Sequence, residues 1–205
     1  KNLMVAEMAF LADAGYVVAS MYYRSSAEEH MPSQIIDVKT AIRFLRAHAD
    51  EYEIDPEHIG IIGRSAGGQL SALAAMNSDN YESEEWSDYS SHVQACCDMF
   101  GPVDFVKLIE DDALEMRTNP NCRWKKPEDT HAGALFGGDM STLKERAKPY
   151  CPPYILTKEM CPILILHGDC DKLVSCGISE AFYDDIVKAG MEDRADLYIL
   201  HGAGH

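Results

Sequence analysis

The stretch His58-Ile59-Gly60-Ile61-Ile62-Gly63-Arg64-Ser65-Ala66-Gly67-Gly68-Gln69-Leu70 decides the fold. Residues 58–63 are an apolar run that reads as a strand buried on both faces, and residues 66–76 read as a helix that follows with no linker. The string Gly-x-Ser-x-Gly alone is modest evidence, because roughly 7 % of chains of this length carry it by chance. Its position between a strand and a helix is far more specific. A strained turn there lifts a hydroxyl above the sheet edge, and small neighbours let the backbone fold back around it, a need that Gly63, Gly67 and Gly68 meet. The helix points its amino end at that hydroxyl, so the N–H of Ala66 is available to a developing oxyanion. A rival reading, a glycine-lined helix start capped by Ser65, predicts no acid and no histidine at later strand ends.

Outward from this stretch, residues 16–23, 93–100, 162–167 and 197–200 are further short apolar runs bounded by Gly, Pro, Asp or His, and they too read as doubly buried strands. Helical spacing separates them. Ile35, Val38, Ile42 and Leu45 form one apolar stripe on a helix starting near Pro32 or Ser33. Residues 3–14 and 179–189 read as helices ended by Gly15 and Gly190. Such alternation predicts an α/β fold, a mainly parallel sheet with helices on both faces, whose ligands bind at the carboxyl ends of the strands. From about 107 to 158 the rhythm breaks, with five prolines, Trp124 and the basic residues Arg117, Arg123, Lys125 and Lys126, and this region reads as a cap-like insertion in a single domain spanning 1–205. Residues 82–88 read as an acidic surface loop.

Two later strand ends carry the partners that a reactive serine needs. His167-Gly168-Asp169-Cys170-Asp171 follows residues 162–166, and His201-Gly202-Ala203-Gly204-His205 follows residues 197–200. A hydroxyl is a poor nucleophile at neutral pH, so Ser65 requires an imidazole to take its proton, and the imidazole requires an acid to fix its tautomer. Of eight histidines, only His201 and His205 come after the candidate acids. His205 is preferred for its Gly-rich turn. Asp171 is preferred over Asp169, which reads as the brace of the turn, while His167 reads as a structural end to a buried strand. Arg64, beside the serine, and Trp124, in the insertion, are candidate substrate contacts. A salt bridge and an anchor for the insertion are their competing roles.

Eighteen basic against thirty-four acidic side chains give a net charge of −16, which repels phosphate backbones and anionic lipid, so no nucleic acid or membrane partner is expected. No apolar run reaches the roughly 20 residues of a spanning helix. Seven cysteines show no paired C-x-x-C spacing, so no metal and no cofactor is expected. They read as mostly buried thiols, which lean towards a reducing compartment, although Cys170 and Cys176 could pair in an oxidising one; the compartment stays open.

The chain resembles the α/β-hydrolase superfamily, and within it the BD-FAE-like group related to feruloyl and acetyl-xylan esterases. The resemblance is carried by Ala14-Gly15-Tyr16-Val17-Val18 with Tyr23-Arg24, by residues 37–43, by Gly63 to Gly68, by Gly101-Pro102-Val103-Asp104, by residues 167–174 and by Gly202 to His205. It implies a serine carboxylesterase acting on a small-molecule ester, with acetyl or feruloyl esters of carbohydrates as candidates. It also implies that the acid belongs to a D-x-x-V element, here Asp171 to Val174, and that the base ends a G-x-G-H turn, here His205. In such proteins an H-G-G strand and loop supply a second oxyanion N–H, and a helix follows the catalytic histidine. Both are expected outside these 205 residues, the missing strand lying between residues 16–23 and 58–63, so the chain is expected to be part of a longer protein or to have another segment fill the gap. A peptidase of the prolyl-oligopeptidase type and a non-catalytic binding protein on the same fold are the alternatives.

Overall fold

In a computed structural model that describes residues 6–205, the alternation read from the sequence builds one parallel sheet. Strands β1 (Gly60–Arg64), β2 (Ala95–Met99), β3 (Ile163–Gly168) and β4 (Ala195–Leu200) lie in the order β1-β2-β3-β4. Their register sets Arg64 beside Met99, Met99 beside Leu166, and Gly168 beside Leu200. All the carboxyl ends therefore finish along one rim, and the turns that leave them are neighbours in space.

The helices are α1 (Ala9–Asp13), α2 (Ser33–Ala47), α3 (Ala49–Tyr52), α4 (Ala66–Ala74), α5 (Phe105–Thr118), α6 (His131–Phe136), α7 (Leu143–Ala147) and α8 (Cys176–Lys188). Helix α4 packs on β1 and β2, α2 packs on α4, and α8 packs on β3 and β4. The predicted stripe of α2 does this work: Ile35, Val38 and Ile42 are buried and Leu45 is half-buried. Every residue of α4 from Gly68 to Ala74 is buried, which explains its run of small and apolar side chains. Helix α8 starts earlier than the predicted Ser179 because the Ser175 hydroxyl accepts the Gly177 N–H at 3.3 Å, an N-cap the apolar spacing does not reveal. A second, smaller core joins Phe105, Ala132, Phe136, Leu143, Ala147 and Cys151, all supplied by the chain between β2 and β3.

Three expectations are corrected. Residues 16–23 form no strand: Tyr16 and Tyr22 are 66 % and 75 % exposed, and the segment makes no ladder with β1. An apolar run becomes a strand only where a neighbour takes its backbone N–H and C=O groups, and among the described residues β1 pairs with β2 alone. The segment is anchored instead at its far end, where the Arg24 guanidinium grips the Asp37 carboxylate at 2.7 to 3.1 Å. Strand β4 is not doubly buried either, since Tyr198 and Leu200 are 58 % and 50 % exposed on the face turned away from α8. The helix predicted over residues 3–14 is shorter: α1 covers Ala9–Asp13, Gly15 follows two residues later at φ +94°, and residues 3–5 lie outside the described residues.

The acidic loop after α4 is more than solvated surface. Glu82 turns inward to pair with Lys39 at 2.9 Å and with Arg43 at 3.0 Å, and both cations are nearly buried on α2. Lys39 also donates to the carbonyls of Ser78 and Asn80. Glu82→Ala would leave two buried cations without their counter-ion, a loss of about 3–5 kcal/mol. Urea unfolding should register it as a lower midpoint with an unchanged slope.

Candidate active site

Ser65 sits between β1 and α4 at φ 53°, ψ −121°, a backbone conformation that non-glycine residues rarely adopt. Two bonds hold it there: its N–H donates to Met99 O at 2.9 Å, and its C=O accepts from Gln69 N–H at 3.1 Å. Tight packing explains the flanking glycines. A Cβ at Gly63 would lie 2.2 Å from Gly67 O, and one at Gly68 would lie 2.4 Å from Asp98 Oδ1. Gly67 differs from its expected role, because a Cβ there meets nothing within 4 Å and no contact in the structure demands glycine at that position. Ala66 is the first residue of α4, so its N–H has no intrahelical partner and stays available beside the Ser65 hydroxyl.

The turns after β3 and β4 converge on that hydroxyl. His205 Nε2 lies 2.9 Å from Ser65 Oγ, and its Nδ1 lies 2.7 Å from Asp171 Oδ2. A carboxylate only accepts, so Nδ1 carries the proton and Nε2 is left to receive one from Ser65. The Asp171 side chain is wholly buried, and its Oδ1 accepts the N–H groups of Leu173 and Val174 at 2.8 and 3.0 Å. Burial works to raise its pKa, but Val174 N–H, His205 and Leu173 N–H outweigh burial together and hold it below the ordinary carboxylate value. The Phe100 ring lies 4.7 Å from the His205 ring and backs it from the end of β2.

Asp169 and His201 form a separate pair. The Asp169 carboxylate takes His201 Nδ1 at 2.9 Å and Gly202 N–H at 2.7 Å, while Cys170 N–H donates to Ala203 O at 2.9 Å. These bonds tie the β3 turn to the β4 turn and aim His205 inward, whereas the His201 side chain is 89 % exposed. His167, read from the sequence as a strand end, also reaches the site: it is fully buried, with Nε2 3.0 Å from Asp171 Oδ2. The four-residue spacing from His167 to Asp171 was visible in the sequence. Its meaning depends on the curl of the turn, which the sequence does not show.

Arg64 and Trp124, the candidate substrate contacts, each have partners within the protein. Arg64 pairs with Glu7 at 2.6 Å. Trp124 donates its indole N–H to Asp112 at 3.1 Å, packs edge-on against His131 and lies under the Arg123 guanidinium, so its contacts are those of an anchor within the segment between β2 and β3. The seven cysteines are free thiols, Cys170 exposed and Cys176 half-buried. Among the described residues no group of His, Cys, Asp and Glu is placed to hold a metal ion, and no helix is long and apolar enough to cross a membrane.

The family model described as BD-FAE matches residues 1–186. The probable carboxylic ester hydrolase LipM of Mycobacterium tuberculosis is 30 % identical over 183 residues, which cover 87 % of this chain and 39 % of that protein. This chain therefore spans less than half of LipM's length. Among solved structures, a truncated form of a carbohydrate esterase from gut microbiota superposes with a TM-score of 0.73 at 33 % identity, covering 91 % of this chain and 66 % of that one. A bifunctional GH43-CE protein of Bacteroides eggerthii superposes with a TM-score of 0.79 at 30 % identity, over 96 % of this chain and 28 % of that one.

Beneath the serine turn lies a carboxyl group that the sequence did not flag. Asp98 on β2 is fully buried against Gly68, accepts Gly101 N–H at 3.0 Å through Oδ1, and has no partner for Oδ2 among the described residues. Burial pushes its pKa up to about 7, against the downward pull of the Gly101 N–H. The folded chain therefore holds a proton there that the unfolded chain releases near 3.8, so stability falls as pH rises from about 4 to 7 and then levels off. Asp98→Asn keeps the acceptor for Gly101 and removes the ionisation. Urea unfolding at pH 5, 6, 7 and 8 should show the variant gaining on the native protein as pH rises, by about 3 kcal/mol in all between pH 5 and 8. A stability difference that stays constant across that range would rule out Asp98 as the titrating group.

Proposed function

The chain belongs to the BD-FAE family of the α/β-hydrolase fold, and from this we propose that it is a serine carboxylesterase in which Ser65 is the nucleophile, His205 the base and Asp171 the orienting acid. One observation carries the reading: an unbroken line of hydrogen bonds runs from Ser65 Oγ through both ring nitrogens of His205 to the buried Asp171 carboxylate. The relatives whose names denote carboxylic ester hydrolases and esterases support it.

In this mechanism Ser65 Oγ attacks the ester carbonyl carbon while its proton passes to His205 Nε2. Asp171 stabilises the imidazolium, and Ala66 N–H, at the positive end of α4, donates to the oxyanion. The bond to the alcohol then breaks, the alcohol oxygen takes the proton from His205, and the acyl group remains on Ser65. Water attacks the acyl-enzyme with His205 again as base, releasing the acid and returning the proton to Ser65. We assign the alcohol part to a carbohydrate, which the family and the carbohydrate esterase among the structural neighbours support. Residues 107–158 act as a cap-like insertion on this single domain. Arg64 and Trp124 take no part in the bond-making steps.

Ser65→Ala and His205→Ala should each lower kcat by roughly 10⁴- to 10⁶-fold with the thermal midpoint preserved, the scale of triad members that act as a unit. A fluorophosphonate should label the native protein and leave Ser65→Ala unlabelled. Turnover of either variant close to native would end the assignment. For the substrate class, acetylated xylo-oligosaccharides and feruloyl sugar esters should give a higher kcat/KM than plain aryl acetates. The reverse order would remove the carbohydrate from the proposal and leave the esterase intact.

A further inference from the structure

We infer that His167 is a positioning residue for this site, donating Nε2–H to the same Asp171 oxygen that receives His205 and so setting both the direction and the strength of that acid; the inference rests on the triad reading above. His167 closes β3 and its side chain has no exposure. Its Nε2 faces two groups that only accept, Asp171 Oδ2 at 3.0 Å and Val174 O at 3.0 Å, so that nitrogen carries a hydrogen. Its Nδ1 lies 2.7 Å from Ser179 Oγ on α8, a hydroxyl that is itself fully buried. The ring thus joins strand, acid loop and helix, and it cannot turn over without breaking the bond to Ser179.

The consequence is electrostatic as well as steric. Asp171 receives four donors, the N–H groups of Leu173 and Val174 on Oδ1 and those of His205 and His167 on Oδ2. Two donors on one oxygen share its charge, so the pull of Asp171 on the His205 imidazolium is weaker than it would be with His205 alone. His205 accordingly gives its proton to the leaving alcohol more readily. Without His167, Oδ2 would hold the imidazolium more tightly and would also be free to swing within the loop. A buried histidine that merely fills space would do neither.

His167→Phe keeps a ring and removes the donor, His167→Gln returns an N–H near the position of Nε2, and Ser179→Ala removes only the group that holds the ring. The native protein must first be labelled by a fluorophosphonate and turn over an ester; failure there counts against the triad reading and not against this one. With that in place, His167→Phe should lower kcat roughly 10- to 100-fold with KM little changed, the usual scale for losing an orienting partner. It should also move the acid limb of kcat/KM to higher pH. His167→Gln should recover most of both effects, and Ser179→Ala should move the limb the same way by less. If His167→Phe does not fold, the Gln and Ser179 variants decide: Ser179→Ala that moves the limb upward supports the inference. Folded variants whose acid limb stays native, with activity falling only as thermal stability falls, overturn it.

Discussion

A serine held at φ 53° is the constraint on which the rest depends. Such a conformation costs on the order of 1–3 kcal/mol and persists only where its surroundings over-determine it. They do so here. The strand before Ser65 is fixed by pairing with β2, the helix after it is buried from Gly68 to Ala74, and the serine's own N–H is spent on Met99 O at the end of β2. The bond to Met99 also explains why β1 and β2 must be neighbours in this register. Sliding β2 by one residue would take the carbonyl away from Ser65 and put Asp98, with its buried carboxyl, on the opposite face of the sheet.

A parallel sheet then makes convergence inexpensive. Three side chains separated by most of the sequence meet because β1, β3 and β4 run the same way and end at the same rim, so each residue needs only a short turn to reach the others. The residues on these turns are held mainly by backbone hydrogen bonds. Leu173 and Val174 aim the carboxylate, Gly202 and Ala203 aim the histidine turn, and Met99 aims the serine. Backbone donors carry no rotamer entropy, so this mode of positioning is stiffer than one built from long side chains.

Much of this was legible in the sequence, and the limits have physical causes. Strand-turn-helix at Gly63 to Gly68 and the two glycine-rich turns that follow later strands were readable because they depend on local spacing and on backbone that only small residues permit. Residues 16–23 misled because apolar content reports the wish to be buried, while a strand also needs a partner for its backbone. Strand β4 misled for a related reason: four apolar residues in a row do not reveal that, among the described residues, Tyr198 and Leu200 are left exposed. The contacts of Glu82, Asp98 and His167 were not legible because they come from what folds over them, even where, as with His167, the residue itself stood out. Each is a polar side chain of ordinary sequence context, made consequential by burial.

The sequence offered two acids on one turn and two histidines on another, and the fold sets them apart as one exposed pair and one buried pair. Asp169 with His201 and Asp171 with His205 have nearly the same contact length, 2.9 and 2.7 Å. Their surroundings differ: the side chains of the first pair are 35 % and 89 % exposed, those of the second 0 % and 23 %. In water the first attraction is screened and competes with hydration, so it contributes little beyond bracing the turn. In the interior the second keeps its direction and its strength, and the buried carboxylate must be saturated with donors to stay charged there at all. The exposed pair therefore does a structural service for the buried one, because the bonds from Asp169 to the β4 turn are what bend the chain back until His205, and not His201, faces the serine.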